Sequence, residues 1–309
     1  MNDQPRLSDG RRPDLLPDAV LRYADHQDGL LDVHLPRPTY ATARTRGHQQ
    51  PRPAGADGPV RRVVVLLHGG FWKTAYDRRH TRPMARALNE AGFCVVTPEY
   101  RRVGPGGSGG WPRTAQDVRR AVDRLPELLA GIDLDLSPGQ TELQVIGHSA
   151  GGQLALWLTS ALMADRRDDA LPLARTVALA PVCDLRQAIR RGLGADAAAA
   201  FLGEDPDRAL AEADPLTLLD RRPPGAVHVI HGTGDEVVPV ELSHGLVERH
   251  PWVQLTELPV GHFELIEPAE PAFGAVVEAL RSATGPSSRR DGDRHDGDRR
   301  DGDRHDWAG

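Results

Sequence analysis

The strongest signal along the chain is Val63 to Leu67, five consecutive apolar residues bounded by arginines and by a His-Gly-Gly turn. A run with no polar alternation predicts a strand buried on both faces, as in a parallel sheet. Similar runs recur at Phe93–Thr97, Leu143–Ile146, Thr176–Ala180, Ala226–Ile230 and Gln254–Leu258. Between them the apolar period lengthens to that of a helix. Thr81–Ala91 is one such stretch, and Thr114–Ala130 is a longer one, with Val118, Val122, Leu125 and Leu129 on one face. Gln153–Ala164 and residues 271–283 complete the set. Strands alternating with helices predict an α/β fold, a mostly parallel central sheet covered by helices on both faces. Ahead of it, Val20–Ala24 and Leu30–Leu35 flank Asp-His-Gln-Asp-Gly and predict a β-hairpin.

Three stretches break the rhythm. Residues 36–60 hold five prolines among Gly, Thr, Arg and Gln and predict a long surface loop. Leu185–Leu219 carries short Ala-rich segments divided by Gly and Pro, which predicts a small helical cap inserted into the domain. From Asp291 the chain repeats Asp-Gly-Asp-Arg with a period of five, a composition for a solvated tail rather than a folded metal site. The expected organisation is a loose segment over residues 1–19, one domain over 20–285 with the cap at 185–219, and a disordered charged tail over 286–309.

The chemistry gathers where predicted strands end. Gly147-His148-Ser149-Ala150-Gly151 joins a short strand directly to a helix. A serine on a sharp strand-to-helix turn, with glycines two residues away on either side, is the pattern of a nucleophile elbow. Such a serine needs a base, an acid to orient that base, and donors for an oxyanion. Asp235, in His-Gly-Thr-Gly-Asp after the strand Ala226–Ile230, is the expected acid, with Glu236 as its rival. His262, in Val-Gly-His-Phe after the last strand, is the expected base; His231 and His244 are the alternatives. His68-Gly69-Gly70-Phe71-Trp72 follows the first buried strand and predicts backbone donors at Gly70 and Phe71, joined by Ala150 next to the serine. Trp72 and Trp111 are candidate aromatic walls for an acyl or aryl group.

With these residues in the order serine, acid, histidine, the chain resembles a serine hydrolase of the α/β-hydrolase superfamily. His68 to Trp72 matches the HGGxW motif of the kynurenine formamidase (arylformamidase) group, and the chain is also similar to carboxylesterases of hormone-sensitive-lipase type, though Phe71 stands where those have a third glycine. The resemblance implies hydrolysis of a carboxylic ester or an aryl formamide through an acyl-enzyme, with no metal or organic cofactor. It leaves open a peptidase or thioesterase of the same fold and a non-catalytic ligand-binding relative.

Charge and cysteine usage narrow the partners. The net charge is −6 and the arginines are scattered, so there is no basic footprint for nucleic acid. Lys73 is the only lysine among 38 basic residues. Cys94 and Cys183 lie in apolar runs and read as buried free thiols, which favours a reducing, cytoplasmic setting. No run reaches the roughly 18 apolar residues of a membrane span, and the N-terminus has no apolar signal-peptide core. A small ester or amide is the expected partner, and the sequence leaves homo-oligomerisation open.

Overall fold

A computed structural model describes residues 12–36, 61–134, 136, 140–165 and 171–282. Its centre is an eight-stranded sheet: β1 (Ala19–Arg22), β2 (Leu30–His34), β3 (Arg61–Leu67), β4 (Cys94–Pro98), β5 (Thr141–His148), β6 (Leu173–Leu179), β7 (Ala226–Gly232) and β8 (Gln254–Leu258). The spatial order is β1-β2-β4-β3-β5-β6-β7-β8. The hairpin β1–β2 and the β2–β4 pair are antiparallel; every pair from β4 through β8 is parallel. This is the mostly parallel sheet that the apolar runs predict.

Alternate residues of β3 serve two cores. Val63, Val65 and Leu67 join a cluster with Val118, Leu154 and Leu158, whereas Val64 and Leu66 join one with Met84, Leu88 and Val276. The helices divide accordingly. On the first face lie α2 (Arg113–Asp123), α3 (Leu125–Ala130), α4 (Ala150–Ala164) and α9 (Glu241–Arg249); on the second lie α1 (Arg82–Glu90) and α10 (Phe273–Arg281). Both faces of a parallel sheet must be covered in this way, since each strand is apolar on both sides.

Two helix expectations change. Thr114–Ala130 is not one helix: it divides into α2 and α3 at Arg124, with Pro126 in the first turn of α3. Proline has no N–H for the carbonyl four residues back and its ring crowds that carbonyl, so the apolar stripe continues while the helix does not. Thr81–Ala91 starts as a 3-10 turn, Arg78–Thr81, whose Arg79 N–H donates to the Asp77 carboxylate and whose Arg78 N–H donates to Glu99 Oε2, and becomes α-helical at Arg82.

Residues 185–219 are helical throughout most of their length: α5 (Leu185–Arg190), α6 (Leu193–Leu202), α7 (Pro206–Ala213) and α8 (Pro215–Leu218). α6 opens on a left-handed turn, with positive φ at Gly192, Gly194, Ala195 and Asp196. The expected loop at 36–60 falls almost wholly outside the described residues, as do the N-terminal segment up to residue 11 and the tail from 283. Both cysteines are buried and unpaired. Among the described residues, no helix is long and apolar enough to cross a membrane.

Candidate active site

Register brings the chemistry to one edge. β3 and β5 pair in parallel with Leu67 opposite Gly147, so the turns that leave them, His68–Trp72 and His148–Ser149, emerge side by side. β7 and β8 pair with Gly232 opposite Leu258, which sends the loops carrying Asp235 and His262 out at the same end. This carboxyl edge is where open α/β sheets place their ligands.

Ser149 occupies the turn between β5 and α4 with φ +57° and ψ −118°. A residue with a Cβ pays for a positive φ, and strain of this kind concentrates at functional sites. The neighbouring glycines permit it by close approach: a Cβ on Gly147 would run into the Gly151 carbonyl, and a Cβ on Gly151 into the carbonyls of Leu67 and His68. Strand, elbow and helix thus share a space that admits no side chain. The Ser149 N–H donates to Leu179 O at 2.8 Å, pinning the elbow to β6.

Asp235 and His262 are brought together. His262 Nδ1 lies 2.6 Å from Asp235 Oδ2, and both side chains are almost completely enclosed. Asp235 Oδ1 accepts from the N–H groups of Val237 and Val238, each at 2.8 Å. Burial works to raise the Asp235 pKa. The donors from His231 and His262, the charge on His262 and the Val238 N–H outweigh it and hold the carboxyl well below its usual range. Glu236, the rival acid, points to solvent.

The loop bearing His262 is tied back to the elbow. His148 Nε2 donates to the His262 carbonyl at 3.0 Å, and the two rings lie 4.5 Å apart. Burial and the neighbouring His262 charge push the His148 pKa well below normal. His148 therefore acts as a neutral strut between the serine turn and the histidine loop. Ser149 Oγ and His262 Nε2 form no hydrogen bond with each other or with another described residue. Such contacts are often loose in unliganded enzymes.

On the other side, Gly70, Phe71 and Trp72 all have positive φ (+104°, +51° and +55°). The backbone N–H groups of Gly70, Phe71 and Ala150 donate to no carbonyl among the described residues. Behind this loop His68 Nε2 lies 2.8 Å from Glu99 Oε1, Tyr100 donates to the His68 carbonyl at 2.6 Å, and the His68 and Tyr100 rings stack at 4.1 Å. Glu99 is buried, yet the adjacent His68 and Arg102 keep its pKa low. The sequence signal for His68 was only its place in the motif; its anchoring role needed the distant Glu99.

The aromatic expectation is corrected for Trp72. Its side chain is fully buried, stacked on Phe201 of α6 at 4.4 Å and donating through Nε1 to Gln153 Oε1 at 3.1 Å. It fastens the cap to the loop instead of standing as an open wall. Trp111 is half-buried; its backbone N–H donates to Phe201 O at 2.7 Å and its ring meets Trp157 edge-on. Phe71, by contrast, rests against the cap at Gly194, where a Cβ would sit 2.6 Å from the ring, and Lys73 Nζ donates to Gly194 O at 2.6 Å. Of the other histidines, His244 pairs with Glu257 on the outer surface of α9, and His231 is enclosed behind Asp235. Among the described residues no cluster of three or more His, Cys, Asp or Glu is disposed to hold a metal ion.

A cavity of about 1170 Å³ lies elsewhere, between the end of α4, the start of β6 and Leu218–Pro224, at the opposite edge of the sheet from Ser149. Its lining is made of Trp157, Met163, Leu173 and their neighbours and holds none of the candidate catalytic residues.

Sheet order, elbow and strand-end loops together have the arrangement of the α/β-hydrolase fold. The BD-FAE family model matches residues 52–249, well over half the sequence, and the chain belongs to that family. Neutral cholesterol ester hydrolase 1 of Rattus norvegicus is 39% identical over 111 residues, 33% of this chain and 24% of that protein. The match thus spans about a quarter of that relative. Among solved structures, esterase B from Lactobacillus rhamnosis superposes with a TM-score of 0.63 at 19% identity, covering 86% of this chain and 85% of that one. A hyperthermophilic esterase from Pyrobaculum calidifontis gives 0.60 at 20%, covering 82% and 78%. At these identities the structures speak for the fold.

Proposed function

We propose that the protein is a serine hydrolase of carboxylic esters, with Ser149 as nucleophile, His262 as general base and acid, and Asp235 as the carboxylate that orients His262. The observation that carries this reading is the enclosed 2.6 Å contact between His262 Nδ1 and Asp235 Oδ2 beside a serine held at positive φ. The names of its relatives, which are ester hydrolases and esterases, favour an ester over an amide.

His262 Nε2 takes the Ser149 hydroxyl proton as Oγ attacks the ester carbonyl, and Asp235 stabilises the resulting imidazolium. Gly70, Phe71 and Ala150 N–H groups, which donate to no carbonyl among the described residues, receive the negative oxygen; one such donor is worth about 2.7–4 kcal/mol. The C–O bond to the alcohol breaks as His262 returns its proton to that oxygen, leaving an acyl-serine. Water then attacks the acyl carbon, again giving its proton to His262, and the carboxylic acid departs as Ser149 is regenerated. The cap over Phe71 is the part of the molecule in position to select the acyl group.

The test is hydrolysis of p-nitrophenyl acetate and N-formylkynurenine, side by side, by the wild type and Ser149→Ala. Ester turnover lowered at least 10³-fold by the substitution is expected. A strong preference for the formamide would move the substrate class to aryl formamides while keeping the mechanism. Turnover of neither, with no covalent capture of a serine-directed phosphonate, would leave a binding protein and overturn the proposal.

A further inference from the structure

One buried polar group in this region has no part in the steps above. His231 ends the inner run of β7 with a fully enclosed side chain and both ring nitrogens engaged. Nε2 lies 2.8 Å from the Val238 carbonyl and 3.4 Å from Asp235 Oδ2, the same oxygen that meets His262. Nδ1 lies 2.7 Å from the Ser243 hydroxyl on α9. A carbonyl only accepts, so Nε2 carries a proton, and it faces Val238 O and Asp235 Oδ2 together. Nδ1 is then free to accept the Ser243 hydroxyl hydrogen.

Asp235 therefore stands between two imidazoles, and each imidazole faces a serine: Ser149 on the open side, Ser243 on the closed side. We propose that His231 is a positioning residue for the hydrolytic reaction, fixing Asp235 Oδ2 and sharing its charge so that the carboxylate holds His262 without trapping it as an imidazolium. The proposal rests on the reading of Asp235 and His262 as the acid–base pair. A carboxylate oxygen with one donor gives all its field to that donor, and a second donor draws part of it away. Without His231, Oδ2 stabilises the charged form of His262 more strongly, and a base that stays protonated to higher pH is idle at neutral pH. Ser243 contributes by holding His231 in the tautomer whose proton faces Asp235.

The titratable neighbours are few. His148 lies against His262 from the elbow, Asp235 and His231 come from the end of β7, and Glu264 brings its carboxylate over Gly261 on the His262 loop itself. Among the described residues only His231 touches the same oxygen as His262, and its removal alters that contact directly.

The experiment is kcat/KM against pH, with p-nitrophenyl acetate, for the full chain and for His231→Leu, His231→Gln and Ser243→Ala. Active sites are counted by phosphonate titration, so that misfolded protein does not enter kcat. His231→Leu is expected to lower kcat roughly tenfold at pH 7, in line with the loss of other outer partners of catalytic groups, and to move the acidic limb to higher pH. His231→Gln, whose amide N–H can reach toward Val238 O and Asp235, should recover most of the rate. Ser243→Ala should move the limb in the same direction by less. If His231→Leu does not fold, the other two variants carry the test. Limbs that stay in place, with kcat reduced equally at every pH or unchanged, overturn the proposal. Full activity of Ser149→Ala would instead sink the hydrolase reading on which it stands, so the two failures are distinguishable.

Discussion

Two buried aspartates, Asp235 beside the candidate base and Asp214 beneath the cap, respond to burial in opposite directions. Asp235 is held well below the usual carboxylate range. Asp214 is pushed up to about 6, first by burial and further by the nearby charge of Asp184. Both lose water, so desolvation alone does not separate them. The difference lies in the donors. Asp235 receives two backbone N–H groups at 2.8 Å and faces two imidazoles. Asp214 receives the N–H groups of Leu185 and Leu216 at 3.2 and 3.3 Å and pairs with no cation within ion-pair distance among the described residues. The well-met buried charge is on the loops that carry Asp235 and His262; the poorly met one lies between residues 185–219 and the rest of the fold.

That contrast gives its sharpest prediction at Asp235. Asp235→Asn keeps the shape but removes the charge and favours the wrong tautomer of His262, so kcat should fall about 10⁴-fold with the fold retained. Measured activity within tenfold of wild type would mean that the 2.6 Å contact is structural. The same carboxylate, with its pKa depressed on folding, contributes stability above its unfolded value near 3.8 that is lost as the pH falls toward its folded value.

Asp214 has the opposite sign. Its folded pKa lies above its unfolded one, so the folded state binds the extra proton and stability falls as pH rises from about 4 to about 6. A rise from 3.8 to about 6 corresponds to a cost of roughly 3 kcal/mol at pH 8. Asp214→Asn, which keeps an acceptor for Leu185 and Leu216, should therefore raise stability at pH 8 and leave it unchanged at pH 4. Urea denaturation at the two pH values measures this, and equal shifts at both would remove charge as the cause.

The smallest expected effect tests whether the cap's hold on the site is as slight as its aspartate suggests. Lys73→Met removes the contact with Gly194 O and should cost about 1–2 kcal/mol, a shift of several degrees in Tm, with a larger change in KM than in kcat. A fall in kcat alone would place Lys73 nearer the chemistry than its contact with the cap implies.

How far these features were legible follows from whether they are local. The parallel strands were, because each is an unbroken apolar run of its own. So was the elbow, since Gly147, Ser149 and Gly151 act on one another across a few residues. The division at Arg124 was visible in Pro126 but masked by an apolar stripe that continues through it. Trp72 reads as a pocket wall in the sequence because its partners, Phe201 and Gln153, come from α6 and from α4, at separations no local pattern reports. His231 stood in the sequence as a rival base. Its enclosed place behind Asp235 depends on Ser243 arriving from the next helix.

Lys73 has a consequence outside catalysis. A chain with a single lysine offers amine-reactive reagents one side-chain target besides its terminal amine. That target is engaged at 2.6 Å with the left-handed turn of α6, so its acylation requires the turn to let go. The protein thus carries an internal reporter: the rate at which an N-hydroxysuccinimide ester labels Lys73 reads how often the Lys73–Gly194 contact opens, without any engineered probe.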